Sequence, residues 1–212
     1  MIHKELQKRI LSSIILIPTA FLFIFQGSVF FAFFLSLFFL ATSYEWIRMC
    51  KKNHLIKFLG ILFLLFSFYS SFCIRENSGM FFFLFIILIC IFTDIGGYVF
   101  GNLFKGPKLT KISPKKTYAG VLGSFLFSLI AGLSFIKVIG SNYLETNYFN
   151  TFIGILIISL ISQIGDLIIS FFKRKAKIKD TGKILPGHGG LLDRVDGLIF
   201  VMPLVYLKMF II

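Results

Sequence analysis

Three aspartates near the end of the chain have the type and spacing that phosphate chemistry needs. Asp193 and Asp196 are three residues apart, so at the start of a helix they would share a face. Asp166 lies upstream and would bring a third carboxylate to the same place. Hard oxygen ligands that leave open coordination positions suit Mg²⁺, which also binds substrate phosphates. The pattern therefore predicts a Mg²⁺-dependent site for phosphoryl or nucleotidyl transfer.

The segment before these aspartates is rich in glycine and basic residues. Gly187, Gly189 and Gly190 would let the backbone approach a ligand closely. His188, between them, is suited to donating to a phosphate or orienting a ligand. The stretch 173–196 also carries seven Lys and Arg residues. The alternative is a solvated loop whose charges pair with one another.

A second basic stretch, 105–117, holds five lysines and no acid. Two prolines stiffen it, and Ser113 and Thr117 add hydroxyl donors beside the lysines Lys115 and Lys116. We interpret this stretch as a phosphate site. The alternative is a basic loop that touches anionic lipid headgroups.

Apolar helices must position these residues. The 212-residue chain is 57% hydrophobic and 15% charged, with a mean hydropathy of +0.91, whereas soluble domains are roughly 45–50% apolar and about 25% charged. This composition excludes a soluble single-core protein and a disordered chain. Seven stretches approach the length of about 20 apolar residues that crosses a bilayer: 10–26, 28–47, 55–73, 80–103, 118–138, 148–172 and 197–212. We predict an all-α polytopic membrane protein with about seven transmembrane helices.

The distribution of basic residues predicts how these helices are oriented. If all seven cross the membrane, the N-terminus and the stretches 48–57, 105–117 and 173–196 share one side and hold 19 of the 22 Lys and Arg residues. Positive charge favours the cytoplasm. We therefore expect a multi-pass protein of the cell (inner) membrane, with a cytoplasmic N-terminus and a site facing the cytoplasm. Despite a net charge of +13, nucleic acid is not the expected partner, because the basic residues lie between apolar runs.

Acids at membrane depth are costly and therefore informative, and we note Asp94 and Asp166 in the predicted spans. In the sixth span, the polar residues are spaced so that they share one helical face: Ser159, Ser162, Gln163, Asp166 and Ser170. We interpret this polar face as the wall of a water-filled cavity. The alternative is that these residues form hydrogen bonds between packed helices. The chain thus divides into three N-terminal spans over 1–90 and a catalytic membrane region over 91–212.

The loop residues together resemble a known signature, that of the phosphatidate cytidylyltransferases, also called CDP-diacylglycerol synthases. The matching positions are Ser170, Lys173, Arg174, Lys179, Asp180, Pro186, Gly187, His188, Gly189, Gly190, Asp193, Arg194 and Asp196. A second region of similarity runs from Asp94 to Thr117, and the resemblance covers about 91–197. The chain departs from the family pattern at Asn102, Ala119 and Ile169.

The resemblance implies a reaction in which phosphatidic acid attacks the α-phosphorus of CTP, giving CDP-diacylglycerol and pyrophosphate, with Mg²⁺ as cofactor. It makes Asp166 and Asp193 the leading metal ligands, with Asp196 next. Lys115 or Lys116 would pair with Asp166 or bind phosphate, and His188, Gly189 and Gly190 would line the nucleotide site. Charge clamps on the substrate phosphates would be Lys173, Arg174, Lys179 and Arg194.

Two other functions stay open from the sequence. One is a CTP-dependent transferase acting on a different lipid acid. The other is a non-catalytic membrane protein that binds anionic lipids. Membrane lipids are expected partners in every case, and a homodimer is a possible assembly.

Overall fold

A computed structural model of the chain describes residues 14, 16–51, 53–110, 113, 116–139, 148–184, 187 and 189–211, without the side chains of 210 and 211. The helices in these ranges are α1 (Leu16–Gln26), α2 (Ser28–Met49), α3 (His54–Phe104), α4 (Tyr118–Ile139), α5 (Tyr148–Lys175), α6 (Leu192–Val195) and α7 (Leu198–Ile211). No strand occurs in the described part of the chain. The predicted all-α polytopic membrane fold is confirmed.

The helices follow the predicted spans closely. Helices α2, α4 and α5 match three spans, and α3 contains two. These four helices are long and apolar enough to cross a membrane. The helices α1 and α7 are apolar but shorter, and the predicted first span extends outside the described residues. The count of seven crossings therefore stays a prediction.

The long helix α3 is two helices joined at Gly79. At 51 residues, a straight helix would be about 76 Å long, more than twice the hydrocarbon thickness of about 30 Å. Gly79 interrupts it with φ 84° and ψ 167°, a backbone conformation that other residues rarely adopt. The single glycine thus separates the two spans predicted over 55–73 and 80–103.

The two halves of α3 fold back on each other. In the first half, the Ser67 hydroxyl donates to the carbonyl of Ile199 in α7. In the second half, Thr93 Oγ1 donates to Ser159 Oγ in α5 over 2.9 Å. Helices α5 and α7 meet at this level, where Gly197 lies directly on α5. Both halves therefore reach the same depth of the bundle, as a helical hairpin does.

One end of the bundle holds the turn between α1 and α2 and the break in α3. There the Arg75 guanidinium covers Gly27 and donates to the Ile24 carbonyl. Glu76 accepts from the Ser28 amide over 2.8 Å. Helix α2 and both halves of α3 extend from this end to the other end of the bundle. The described residues of the stretches 50–53, 105–117 and 176–191 therefore lie at that opposite end. The structure thus gathers these basic stretches together, as the charge distribution predicts.

Helices α3 and α4 approach closely through small residues. A methyl group at Gly96 would overlap the carbonyl of Gly123, and Ser124 Oγ donates to the Thr93 carbonyl over 2.8 Å. Such contacts allow backbones to pack tightly without a large side chain between them. This packing fixes the position of Asp94, which directly follows Thr93 in α3.

Candidate active site

Asp193 is the centre of one polar cluster at the loop end of the bundle. Lys173 Nζ, from the end of α5, lies 2.8 Å from its Oδ1. Its Oδ2 accepts from the Thr181 amide at 2.8 Å, the Thr181 hydroxyl at 3.0 Å and the Gly190 amide at 3.2 Å. We call these residues, with Glu45, the glycine-loop cluster. Both oxygens of Asp193 are thus engaged by the loop and by α5.

These contacts control the ionisation of Asp193. Burial by itself would raise the pKa of the carboxyl, but hydrogen bonds from Lys173 and Thr181, together with the Lys173 charge, outweigh it. The pKa of Asp193 is therefore held below its usual range. Asp193 is a fixed anion at neutral pH.

A second group, the acid cluster, consists of Asp94, Lys116, Asp166, Ser170 and Asp196. Lys116 Nζ lies 2.6 Å from Asp166 Oδ2, and the Ser170 hydroxyl donates to Asp166 Oδ1 over 3.2 Å. Asp94, Asp166 and Asp196 are close enough for their charges to interact. The second basic loop thus meets the polar stripe of α5 through Lys116.

Asp196 has the opposite surroundings to Asp193. Burial, and then the negative charges of Asp166 and Asp94, raise the pKa of Asp196 well above its usual range. The charge of Lys173 acts on Asp196 as well as on its bonded partner Asp193. Lys173 therefore connects the two clusters into one site.

Helix α5 supplies a residue to each part of this site from a single face. Asp166, Ser170 and Lys173 are spaced by four and three residues, which places them on adjacent turns of one side. Earlier in the same helix, Ser159 and Ser162 are buried. The sequence prediction that these polar residues share one face is confirmed. Ile169 faces an apolar cluster instead and is 2% exposed.

The other predicted site residues fall into four groups. Arg174, Lys179, Asp180 and Arg194 are exposed at the loop end of the bundle. Thr117 and Ser113 take part in local hydrogen bonds: Thr117 Oγ1 accepts from the Gly120 amide at the start of α4, and the Ser113 amide donates to Thr110. Gly189, with φ 87°, lies against Asp180 and Asp193. Lys115 and His188 lie outside the described residues.

Glu45 is a member of the site that the sequence reasoning missed. It lies in α2 within the predicted span 28–47, so Asp94 and Asp166 are not the only acids at membrane depth. Its side chain accepts hydrogen bonds from the loop that carries Asp193. The signal in the sequence that identifies Glu45 is an acidic residue within an apolar stretch.

The donor set of this site fits Mg²⁺. The acids Asp94, Asp166 and Asp196 repel one another, and a cation would relieve that repulsion. Within the described residues, no three His, Cys, Asp or Glu side chains converge as a complete metal cage. Mg²⁺ does not need such a cage, because it commonly uses one or two carboxylates and completes its shell with water and substrate phosphates.

Comparisons with known proteins place this geometry in a family. The sequence model of the cytidylyltransferase family matches residues 52–212. A phosphatidate cytidylyltransferase of Rickettsia bellii is 37% identical over 95% of this chain and 90% of that protein. Proteins of that name from Staphylococcus haemolyticus and Staphylococcus aureus are 38% and 40% identical over 71% of this chain and 55% of their own length. The chain belongs to the cytidylyltransferase family.

Proposed function

We propose that the chain transfers the cytidylyl group of CTP to phosphatidic acid, giving CDP-diacylglycerol and pyrophosphate. The observation that carries this proposal is the junction of the two clusters, where Lys173 and Lys116 are paired with Asp193 and Asp166. Lysines and aspartates alternate there at the loop end of an apolar bundle. Such a site suits a triphosphate from water and a phosphate carried by a membrane lipid.

The reaction joins a phosphate oxygen of the lipid to the α-phosphorus of CTP and breaks the bond from that phosphorus to the bridging oxygen, which leaves with pyrophosphate. The chain must hold two polyanions together and stabilise the charge that moves onto the leaving group. Lys116 and Lys173 are placed to do so from the bundle, and Arg174 and Lys179 from its exposed rim. Asp193 fixes Lys173 in place.

Mg²⁺ is the cofactor in this proposal, and its one or two carboxylate ligands would come from Asp166, Asp193 and Asp196. When bound, it would neutralise triphosphate charge and polarise the phosphorus under attack. Before substrate binds, Lys116 and Lys173 balance Asp166 and Asp193. The lysines thus hold the two acids in position.

An apolar groove beside the site suits the hydrocarbon chains of the lipid. The groove has a volume of about 270 Å³ and is lined by α2, α3, α5 and α7. Three of its lining residues, Trp46, Ile169 and Phe172, directly precede or follow residues of the polar site in the chain. A lipid whose chains lie in the groove would have its phosphate near the end of α5 that carries Lys173.

The test is synthesis by the purified chain in mild detergent, with CTP labelled in the cytosine, Mg²⁺ and one lipid acid at a time. We expect label in the lipid phase with phosphatidic acid, and its loss on chelation of Mg²⁺ with recovery when Mg²⁺ is restored. Labelled product only with a polyprenyl or ether-lipid phosphate would assign a different lipid substrate. Anionic lipid binding without any product would indicate the non-catalytic function.

A further inference from the structure

Glu45 is a buried carboxylate that holds the glycine loop from beneath. The residue is 1% exposed and lies in α2. Its Oε1 accepts from the Leu191 amide at 3.0 Å, and its Oε2 accepts from the Leu192 amide and the Thr181 hydroxyl, each at 2.9 Å. All three donors belong to the segment 181–192, which is about 140 residues away in sequence. The carboxylate therefore joins both ends of the loop to the helix bundle.

The loop is shaped to fit this one side chain. A methyl group at Gly182 would overlap the Glu45 carboxylate, and one at Gly190 would overlap both that carboxylate and Thr181 Oγ1. The backbone at both glycines thus packs directly against the Glu45 carboxylate. A carboxylate buried in this way is stable only while its hydrogen bonds are made.

Thr181 passes this constraint on to Asp193. Its single hydroxyl lies 2.9 Å from Glu45 Oε2 and 3.0 Å from Asp193 Oδ2. A hydroxyl has one proton, so the two carboxylates compete for the same donor. The Thr181 amide also donates to Asp193. Any shift of Glu45 therefore changes both the position of Thr181 and the surroundings of Asp193.

We infer that Glu45 is a positioning residue of the transfer reaction, acting on Asp193 through Thr181 and the loop backbone. This inference rests on the proposed function for its kinetic test. It predicts that activity depends on Glu45 although its side chain is buried beneath the loop.

The first test is Glu45→Gln, which keeps the size of the side chain but turns an amide NH₂ toward one of the loop donors. We expect kcat to fall about tenfold or more, because a buried donor loses its acceptor. Glu76→Gln is the matched control, since Glu76 also accepts from a backbone amide but lies at the opposite end of the bundle. The control should keep wild-type kcat. A wild-type kcat in folded Glu45→Gln overturns the inference.

Coupling distinguishes positioning from general damage to the fold. Thr181→Val removes the shared proton. In the double variant with Glu45→Gln, the loss of kcat should be smaller than the product of the two single losses. Effects that multiply independently would overturn the route through Thr181. If Glu45→Gln does not yield folded protein, Thr181→Val alone carries the test, and wild-type kcat in that variant contradicts the inference.

A third measurement needs no activity. Lys179 and Lys183 are exposed in the loop, so trypsin should cut there faster in Glu45→Gln than in wild type or Glu76→Gln. Equal cleavage rates would show that Glu45 does not hold the loop. Failure of the proposed function would look different, because wild type would then make no product while the difference in cleavage would persist.

Discussion

At the scale of the residue, the aspartates of the site have contrasting surroundings. Asp193 receives four hydrogen bonds and a lysine charge, whereas Asp196 faces the like charges of Asp94 and Asp166. The first arrangement keeps a carboxylate ionised, and the second disfavours ionisation. Adjoining parts of one site thus hold carboxyl groups of opposite ionisation behaviour.

The surroundings of Asp196 predict a dependence of stability on pH. Its pKa is raised in the folded protein, so its contribution to stability is full below the unfolded pKa and is lost as pH rises through the folded value. In EDTA, Asp196→Asn should therefore unfold at a higher temperature than wild type at pH 8. The difference should shrink toward pH 4. Thermal unfolding in detergent at both pH values measures it, and an unchanged or reversed difference would contradict this account.

The pairing of Lys173 predicts a cost for breaking it. Both side chains of the pair are about one tenth exposed, so Lys173→Met leaves a nearly buried carboxylate with its remaining hydrogen bonds only. We expect a loss of about 2–3 kcal/mol in the free energy of unfolding. Lys183→Met, on the exposed part of the same loop, should change it by less than about 0.5 kcal/mol. Denaturant unfolding followed by tryptophan fluorescence would compare them, and equal losses would rule out a special role for the pair.

At the scale of the element, α5 is the helix around which the site is built. One face carries Asp166, Ser170 and Lys173, and the other side of the helix lines the apolar groove with Ile168 and Phe172. A single helix therefore contributes both to the polar site and to a surface for hydrocarbon chains. This arrangement suits a substrate with a charged head and apolar tails.

The groove predicts a selective effect on the lipid substrate. Ile168→Trp would fill space between α3 and α5, and we expect KM for phosphatidic acid to rise about tenfold through lost apolar contact. KM for CTP should stay unchanged. Leu160→Trp, exposed on the same helix outside the groove, is the control. If both KM values rise together, or neither does, the groove does not hold the lipid.

What the sequence predicts well is local in the chain. The polar face of α5 and the division of α3 into two spans follow from helical spacing and from span length. The role of Glu45 could not be derived in this way, because its partners lie 136 to 147 residues away. The same is true of Thr181, whose hydrogen bonds to Asp193 arise from the fold of the loop and not from a motif.

At the scale of the whole molecule, the basic loops lie at one end of the bundle. The turn at Gly27 and the break at Gly79 lie at the other end. If seven helices cross the membrane, Asn77 and Lys183 are on opposite sides. In a variant without Cys50, Cys73 and Cys90, a membrane-impermeant maleimide should label Lys183→Cys only in inverted vesicles and Asn77→Cys only in right-side-out vesicles. Labelling of both from one side would show a different number of crossings.

We expect the loop end of the bundle to transfer the cytidylyl group, with Asp193 in the site. The most direct measurement supplies wild type and Asp193→Asn with phosphatidic acid, Mg²⁺ and CTP labelled at either the α- or the γ-phosphate. We predict that wild type moves the α label into lipid and the γ label into pyrophosphate, and that folded Asp193→Asn does neither. Equal transfer by Asp193→Asn, or γ label in the lipid, would contradict the account.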